Sequence, residues 1–168
     1  MRVPVRVALV SALALAPLAG IAATTSASAA PPDLSRGVYS SLRPGSVPDG
    51  FTQFRIRNNR LVEFSGRMYA SCDELDRDPP TTTPQYFDFY EKGRYRGRRE
   101  GRELVFRIKI RSESMPSWQG QRVTLSLDQQ GRRIEALTEF RLEQREAGAV
   151  TARCTGSGLH VVRKLARS

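Results

Sequence analysis

From Gly37 onward, apolar residues recur at every second position, the alternation that lines one face of a β-strand, and not at the spacing of a helix. The clearest stretch is Leu104-Val105-Phe106-Arg107-Ile108-Lys109-Ile110-Arg111. Leu104, Phe106, Ile108 and Ile110 face one way and Arg107, Lys109 and Arg111 the other, which describes a half-buried strand with a wet, basic outer side. Val123, Leu125 and Leu127 repeat the pattern, Asp128-Gln129-Gln130-Gly131 predicts a turn, and Ile134, Ala136, Thr138, Phe140 and Leu142 alternate back out of it. Upstream, Phe54 and Ile56 alternate with Arg55 and Arg57, Asn58-Asn59 supplies two residues that tolerate positive φ, and Leu61 to Cys72 returns.

Phe87 and Phe89 oppose Tyr86, Asp88 and Tyr90 in a further strand, after which Gly93 predicts a turn into a strongly basic hairpin from Arg94 to Arg102. Val150, Ala152 and Cys154 share one face, and Leu159 to Leu165 reads as the closing strand. No amphipathic helix of ten or more residues is visible beyond the N-terminal region. The expectation is an all-β domain: a single antiparallel meander of about 8–10 strands, closed as a barrel or folded as a β-sandwich. Its predicted core is Phe54, Ile56, Phe87, Phe89, Leu104, Phe106, Ile108, Ile110, Val123, Leu125, Leu127, Ile134, Phe140 and Leu142.

The N-terminal region reads differently. Arg2 and Arg6 precede a ten-residue apolar run from Val7 to Ala16, and Ala27-Ser28-Ala29 has the small residues that signal peptidase accepts. Pro17 and Gly20 interrupt the run before it reaches the roughly 20 residues that span a bilayer. We therefore expect a signal peptide over 1–29, an extended lead-in over 30–36, a single β domain over 37–168 and a secreted product with no membrane span after cleavage.

Export changes how the two cysteines are read. In an oxidising compartment Cys72 and Cys154 are expected to form one structural disulfide, worth about 4.5 kcal/mol in the chain-entropy model for a span of 82 residues.

The formal charge is +10, and losing Arg2 and Arg6 with the signal lowers it by two, to +8. Arg55, Arg57, Arg107, Lys109 and Arg111 are expected on outward strand faces, with Arg94, Arg96, Arg98 and Arg99 crowding one hairpin. Tyr86, Tyr90 and Tyr95 lie near enough in sequence to offer stacking surfaces. Contiguous basic faces would attract an anionic polymer, such as a teichoic-acid-like envelope polymer or extracellular DNA, or an acidic partner protein outside the cell. Export excludes intracellular nucleic acid. Arginine outnumbers lysine 24 to three, as a GC-rich coding bias would also produce, so the count alone proves nothing.

Catalytic patterns are sparse. His160 is the only histidine, and Gly156-Ser157-Gly158 lacks the spacing of a nucleophile elbow. Glu135, Glu139 and Glu143 fall on one outward strand face, where neighbouring arginines are their simplest partners. Asp73, Glu74, Asp76 and Asp78 are followed by Pro79-Pro80 where a loop calcium motif needs glycine, so no metal is expected. No catalytic residue and no cofactor is assigned.

Several short motifs stand out along the chain: Gly37-Val38-Tyr39, the Phe54-x-Ile56 strand, a mid-chain cysteine, Tyr95-Arg96-Gly97 and Cys154-Thr155-Gly156-Ser157-Gly158. The string resembles small secreted β-rich proteins of high-GC actinobacteria, whose function is uncharacterised. That resemblance implies the fold class and the export, and transfers no functional residue. The expected function is non-catalytic binding through the arginine-rich face. The alternatives are a carrier holding a small apolar ligand inside its barrel, and a secreted hydrolase.

Overall fold

The computed structural model describes residues 34–43, 49–113 and 115–166. The expected signal peptide and residues 30–33 of the lead-in lie outside the described residues. Nine strands account for most of the rest: β1 Gly37–Ser40, β2 Phe51–Arg57, β3 Arg60–Glu74, β4 Thr81–Arg96, β5 Arg98–Glu100, β6 Glu103–Lys109, β7 Arg122–Gln130, β8 Arg133–Glu146 and β9 Ala149–Lys164. Among the described residues the only helical element is a single 3-10 turn, Pro116–Trp118, and no helix is long and apolar enough to cross a membrane.

All nine strands belong to one antiparallel sheet in the order β4-β3-β2-β1-β9-β8-β7-β6-β5. Successive strands pair with each other, and β9 pairs back onto β1 through Tyr39↔Lys164 and Ser40↔Arg163. The two strands at the ends of this order, β4 and β5, are joined by Gly97 alone, so the pairings run once round a ring. Leu104 and Phe106 press close to this joint: a Cβ on Gly97 would lie 2.7 Å from Leu104 Cδ1 and 3.1 Å from Phe106 Cε1. A side chain at this position would have to displace the Leu104 tip.

The core lies on the inward side of the ring. Of the predicted core, Phe54, Ile56, Phe87, Phe89, Phe106, Ile108, Ile110, Val123, Leu125, Leu127, Phe140 and Leu142 are buried, and Leu104 and Ile134 pack half-buried against them. Leu61, Phe64, Met68 and Val162 complete the cluster. Leu34, in the lead-in, is also buried in it.

Three sequence expectations need correction. The turn between β7 and β8 is not Asp128 to Gly131 but Gly131-Arg132, flanked by the pair Gln130↔Arg133. Gly131 takes the positive φ of +64°, and Asp128 remains in the strand opposite Glu135. Gly93 makes no turn. It sits in a bulge where the register passes from Glu63↔Lys92 to Leu61↔Tyr95, setting Gly93 and Arg94 against Val62, and the Tyr95 ring fills the space a Cβ would need. Finally, the two C-terminal segments are one strand, β9, which runs unbroken through Gly156 and Gly158.

The ring's two openings are closed differently. β3 outruns β2, and its distal half pairs directly with β9, from Ala70↔Gly156 to Glu74↔Ala152. Cys72 and Cys154 are cross-strand partners there and are disulfide-bonded, with Cα atoms 4.0 Å apart. Residues 110–113 and 115–121 pack beside this end: Trp118 meets the Phe87 ring at 5.9 Å, and the Gln121 side-chain amide bonds both the N–H and the C=O of Glu143 at 2.7 Å. Buried Glu91 holds the start of that segment by accepting from the amides of Arg111 (2.9 Å) and Ser112 (3.2 Å). The opposite opening, ringed by the β2–β3 turn, Gly97 and the β5–β6 turn, carries the candidate site.

Candidate anion-binding site

Asn58 and Asn59 take φ of +51° and +55°, the left-handed pair that a two-residue hairpin turn requires. A turn of that kind sets its flanking residues opposite each other, here Arg57 against Arg60. In the next pairing Arg60 stands opposite Arg96 of β4. Three arginines therefore form one outward cross-strand row, at a side-chain spacing of about 5 Å, where like charges repel. Arg94 and Arg98 point outward on either side of Arg96, and Arg99 faces inward opposite Leu104 at the rim. None of Arg57, Arg60, Arg94, Arg96, Arg98 and Arg99 pairs with a carboxylate among the described residues.

Two hollows adjoin the row. One, of about 240 Å³, is lined by Leu34, Ile56, Asn59, Arg96, Gly97, Arg99, Leu104 and Phe106. The other, of about 370 Å³, lies on the β1–β2 side and is lined by Arg36, Arg55, Arg57 and Lys164 together with neighbouring backbone. Arg57 belongs to both the row and the second hollow.

The other predicted site residues fall elsewhere. Arg55 is bonded to Glu63 at 3.0 Å and Arg107 to Glu100 at 3.0 Å, so both charges are balanced locally. Lys109 faces Arg122 across β6 and β7, and Arg111 is exposed beyond β6; both are separated from the row by the Arg107–Glu100 pair. Tyr86 and Tyr90 lie on the outward face of β4, half exposed, with Tyr86 edge-on to Tyr69 at 5.5 Å and Lys92 over Tyr90 at 5.1 Å. Six residues of extended chain, about 20 Å, separate Tyr90 from Arg96. Tyr95 is no stacking surface: it points inward, donates its hydroxyl to the Lys109 carbonyl at 3.1 Å, and burial, helped by the nearby Glu91, raises its pKa.

Two of the three glutamates of the β8 row, Glu135 and Glu143, behave in the opposite way to the arginine row. Glu135 pairs with Arg133 at 2.9 Å, and Glu143 gathers Arg145 (2.8 Å), Arg153 (3.4 Å) and Arg141 (3.9 Å). Hydrogen bonding from Arg145, supported by Arg153, holds the Glu143 carboxyl below its usual range. Asp73 accepts from Thr82 and Glu74 pairs with Arg77; among the described residues no three acidic, histidine or cysteine side chains converge on a metal position.

His160 faces inward, half-buried, its Nδ1 3.0 Å from the hydroxyl of buried Thr52, which in turn lies 3.3 Å from the Thr138 hydroxyl. Burial lowers the imidazole pKa. No carboxylate hydrogen-bonds the ring among the described residues, so the cluster lacks the orienting acid of a triad.

Arg60, Asn59 and Leu34 were not singled out from the sequence. For Arg60 the signal was present, because a two-residue Asn58-Asn59 turn places it opposite Arg57. Compared with protein-family models, curated proteins and solved structures, the chain matches none.

Proposed function

We propose that this is a secreted, non-catalytic binding module that holds an anionic polymer at its arginine-rich end. The observation that carries the reading is the Arg57–Arg60–Arg96 row. Nothing in the fold requires three like charges to face one another across adjacent strands, and the row costs stability when the site is empty. A phosphate or sulfate polymer lying across β2, β3 and β4 would relieve that repulsion and release its condensed counterions. Arg94, Arg98 and Arg99 extend the contact beyond the row, and Arg36 and Lys164 widen it on the β1 side. The Cys72–Cys154 disulfide suits a partner outside the cell.

Heparin serves as the test polymer. The protein should bind it at low salt, with log affinity falling linearly as log salt rises. Replacing Arg57, Arg60 and Arg96 together with serine should flatten that slope and weaken binding at least tenfold. The control replaces Arg133, Arg141 and Arg145, which removes the same net charge from the face where arginines are already paired. Equal losses in the two triple variants would mean that net charge alone attracts the polymer, and the site would be rejected.

A further inference from the structure

The outer wall of the ring carries a second feature, centred on Tyr69 and about 30 Å along β3 from Arg60 at the usual strand rise. A shallow, open groove of about 800 Å³ crosses four strands there, from Tyr69 and Ser71 on β3, over β9 and β8, to Arg122 and Thr124 on β7. Register builds its base. Ser157 and Thr124 flank Glu139 in successive cross-strand pairs, and Ser71 and Arg141 flank Thr155 in the neighbouring row. Ala70 and Phe140, between the two rows, are buried, so the side chains of both rows face outward. At the β3 end stands the Tyr69 ring, 55 % exposed, with Tyr86 edge-on to it at 5.5 Å.

Elsewhere on the outer wall polar groups are tied to one another, as in the pairs Arg67–Asp88, Arg55–Glu63 and Arg107–Glu100. Arg141 belongs to that pattern, lying 3.9 Å from Glu143. Ser71, Arg122, Thr124, Glu139, Thr155 and Ser157 do not: none makes a side-chain hydrogen bond or ion pair among the described residues. The backbone under them is already committed, because β3, β9, β8 and β7 are each paired on both sides. A peptide adding a strand would find no edge here, and with Ala70 and Phe140 buried it would find no apolar pocket for its side chains. What remains is an exposed aromatic ring beside hydroxyls, one carboxylate and one guanidinium. Groups of both signs suit a neutral ligand whose own groups both donate and accept.

We infer that this groove binds a neutral oligosaccharide, an extended chain of β-1,4-linked pyranoses, with the C–H face of one ring on Tyr69 and sugar hydroxyls on Thr155, Ser157, Glu139 and Arg122. The C–H face of a pyranose is apolar enough to stack on an aromatic ring. Each sugar hydroxyl can donate to the Glu139 carboxylate and accept from the Arg122 guanidinium, and hydrogen bonds to charged groups are the stronger kind. Four strands at the usual spacing span about 14 Å, roughly three pyranose rings in an extended chain. A chain that coils away from the sheet would keep only part of this contact.

The protein is titrated with cellotetraose, chitotetraose and maltotetraose, and with heparin in parallel. Cellotetraose or chitotetraose should bind at least tenfold tighter than the coiled, α-linked maltotetraose. The stronger of the two separates a glucose chain from an N-acetylglucosamine chain. A neutral ligand releases no condensed counterions, so a tenfold rise in salt should change this affinity less than twofold while heparin affinity collapses. Tyr69→Ala should weaken the tetraose at least tenfold, Tyr69→Phe should retain most of the affinity because it keeps the ring, and Glu139→Gln should cost about fivefold.

Both positions are exposed, and thermal unfolding checks that the variants fold. If Tyr69→Ala does not, the three tetraoses and the salt dependence on the native protein decide alone. No binding of either β-linked chain at millimolar concentration would overturn the inference. So would a Tyr69→Ala variant that binds as tightly as the native protein, because the ring would then be unused. Maltotetraose binding as tightly as cellotetraose and chitotetraose would overturn the extended-chain assignment, and a salt dependence as steep as that of heparin would overturn the neutral one.

Discussion

At the end of the ring where β3 and β9 pair directly, the chain supplies most of the partners its polar groups need, the buried Arg153 Nε being an exception. The Cys72–Cys154 bridge joins the two strands, Gln121 satisfies both backbone groups of Glu143, and Glu74 and Glu143 neutralise nearby arginines. At the opposite end, among the described residues, the chain supplies no carboxylate partner for Arg57, Arg60, Arg94, Arg96, Arg98 or Arg99, and a hollow lies beside Leu34. Both regions are written in the same arginine-rich vocabulary, so composition cannot separate them. Strand register does: on β8 the pattern sets arginine beside glutamate, and across β2, β3 and β4 it sets arginine against arginine. The contrast assigns stability to one end and binding to the other, a division that substitutions can break.

The largest effect should come from the bridged end. Removing the disulfide with Cys72→Ser and Cys154→Ser should cost about 4.5 kcal/mol in the chain-entropy model, a large share of the stability of a domain this size. Denaturant unfolding measures the loss. Heparin affinity, read where the variant is still folded, should be unchanged, and a fall in it would mean that the two ends are coupled.

Glu91 comes next. Its carboxylate is 1 % exposed and accepts two backbone amides where β6 leaves the ring, so Glu91→Ala orphans both donors and should cost about 3 kcal/mol. Glu91→Gln keeps a carbonyl acceptor and should recover part of that. An alanine variant as stable as the native protein would show that Arg111 and Ser112 are not held by this contact.

These two groups show what the sequence revealed and what it did not. Two-residue alternation placed every predicted core side chain inward because each strand has one wet and one dry face. It also puts Glu91 inward, two residues beyond Phe89, but its partners are amides 20 and 21 residues away that no local pattern announces. Asn58-Asn59 implied the Arg57–Arg60 opposition. The Arg60–Arg96 opposition depends on a bulge at Gly93, and glycine there reads equally well as a turn. Leu34 carries no periodic neighbours, so only the closed ring shows that it reaches the core.

A smaller, pH-dependent effect belongs to His160. Burial lowers its folded-state pKa below the unfolded value of about 6.5, so above that pH both states are neutral and the residue contributes no slope. As pH falls below 6.5 the unfolded chain takes up the proton first, and stability declines until the depressed folded pKa is passed. His160→Gln should flatten this decline while leaving the separate loss at lower pH, where Glu143, held below its usual range, is finally protonated. An unchanged slope between pH 6.5 and 5 in the glutamine variant would refute the assignment.

The smallest effect on stability is the sharpest test of the comparison. Arg60 stands between Arg57 and Arg96 in two successive cross-strand pairs, so Arg60→Glu replaces two repulsive neighbours with two attractive ones. Cross-strand charge pairs contribute roughly 0.2–1 kcal/mol each, and the variant should be more stable than the native protein by about that amount, an uncommon sign for a single substitution. The same change places a carboxylate in the middle of the proposed polymer contact, so heparin affinity at low salt should fall at least tenfold. Stability and binding then move in opposite directions at one residue, as expected where strain is retained for a ligand. Arg141→Glu, on the paired face beside Glu143, should do the reverse and lower stability slightly with little change in binding. If Arg60→Glu destabilises the fold, the row is held by contacts other than the repulsion inferred here, and the argument from register to function fails.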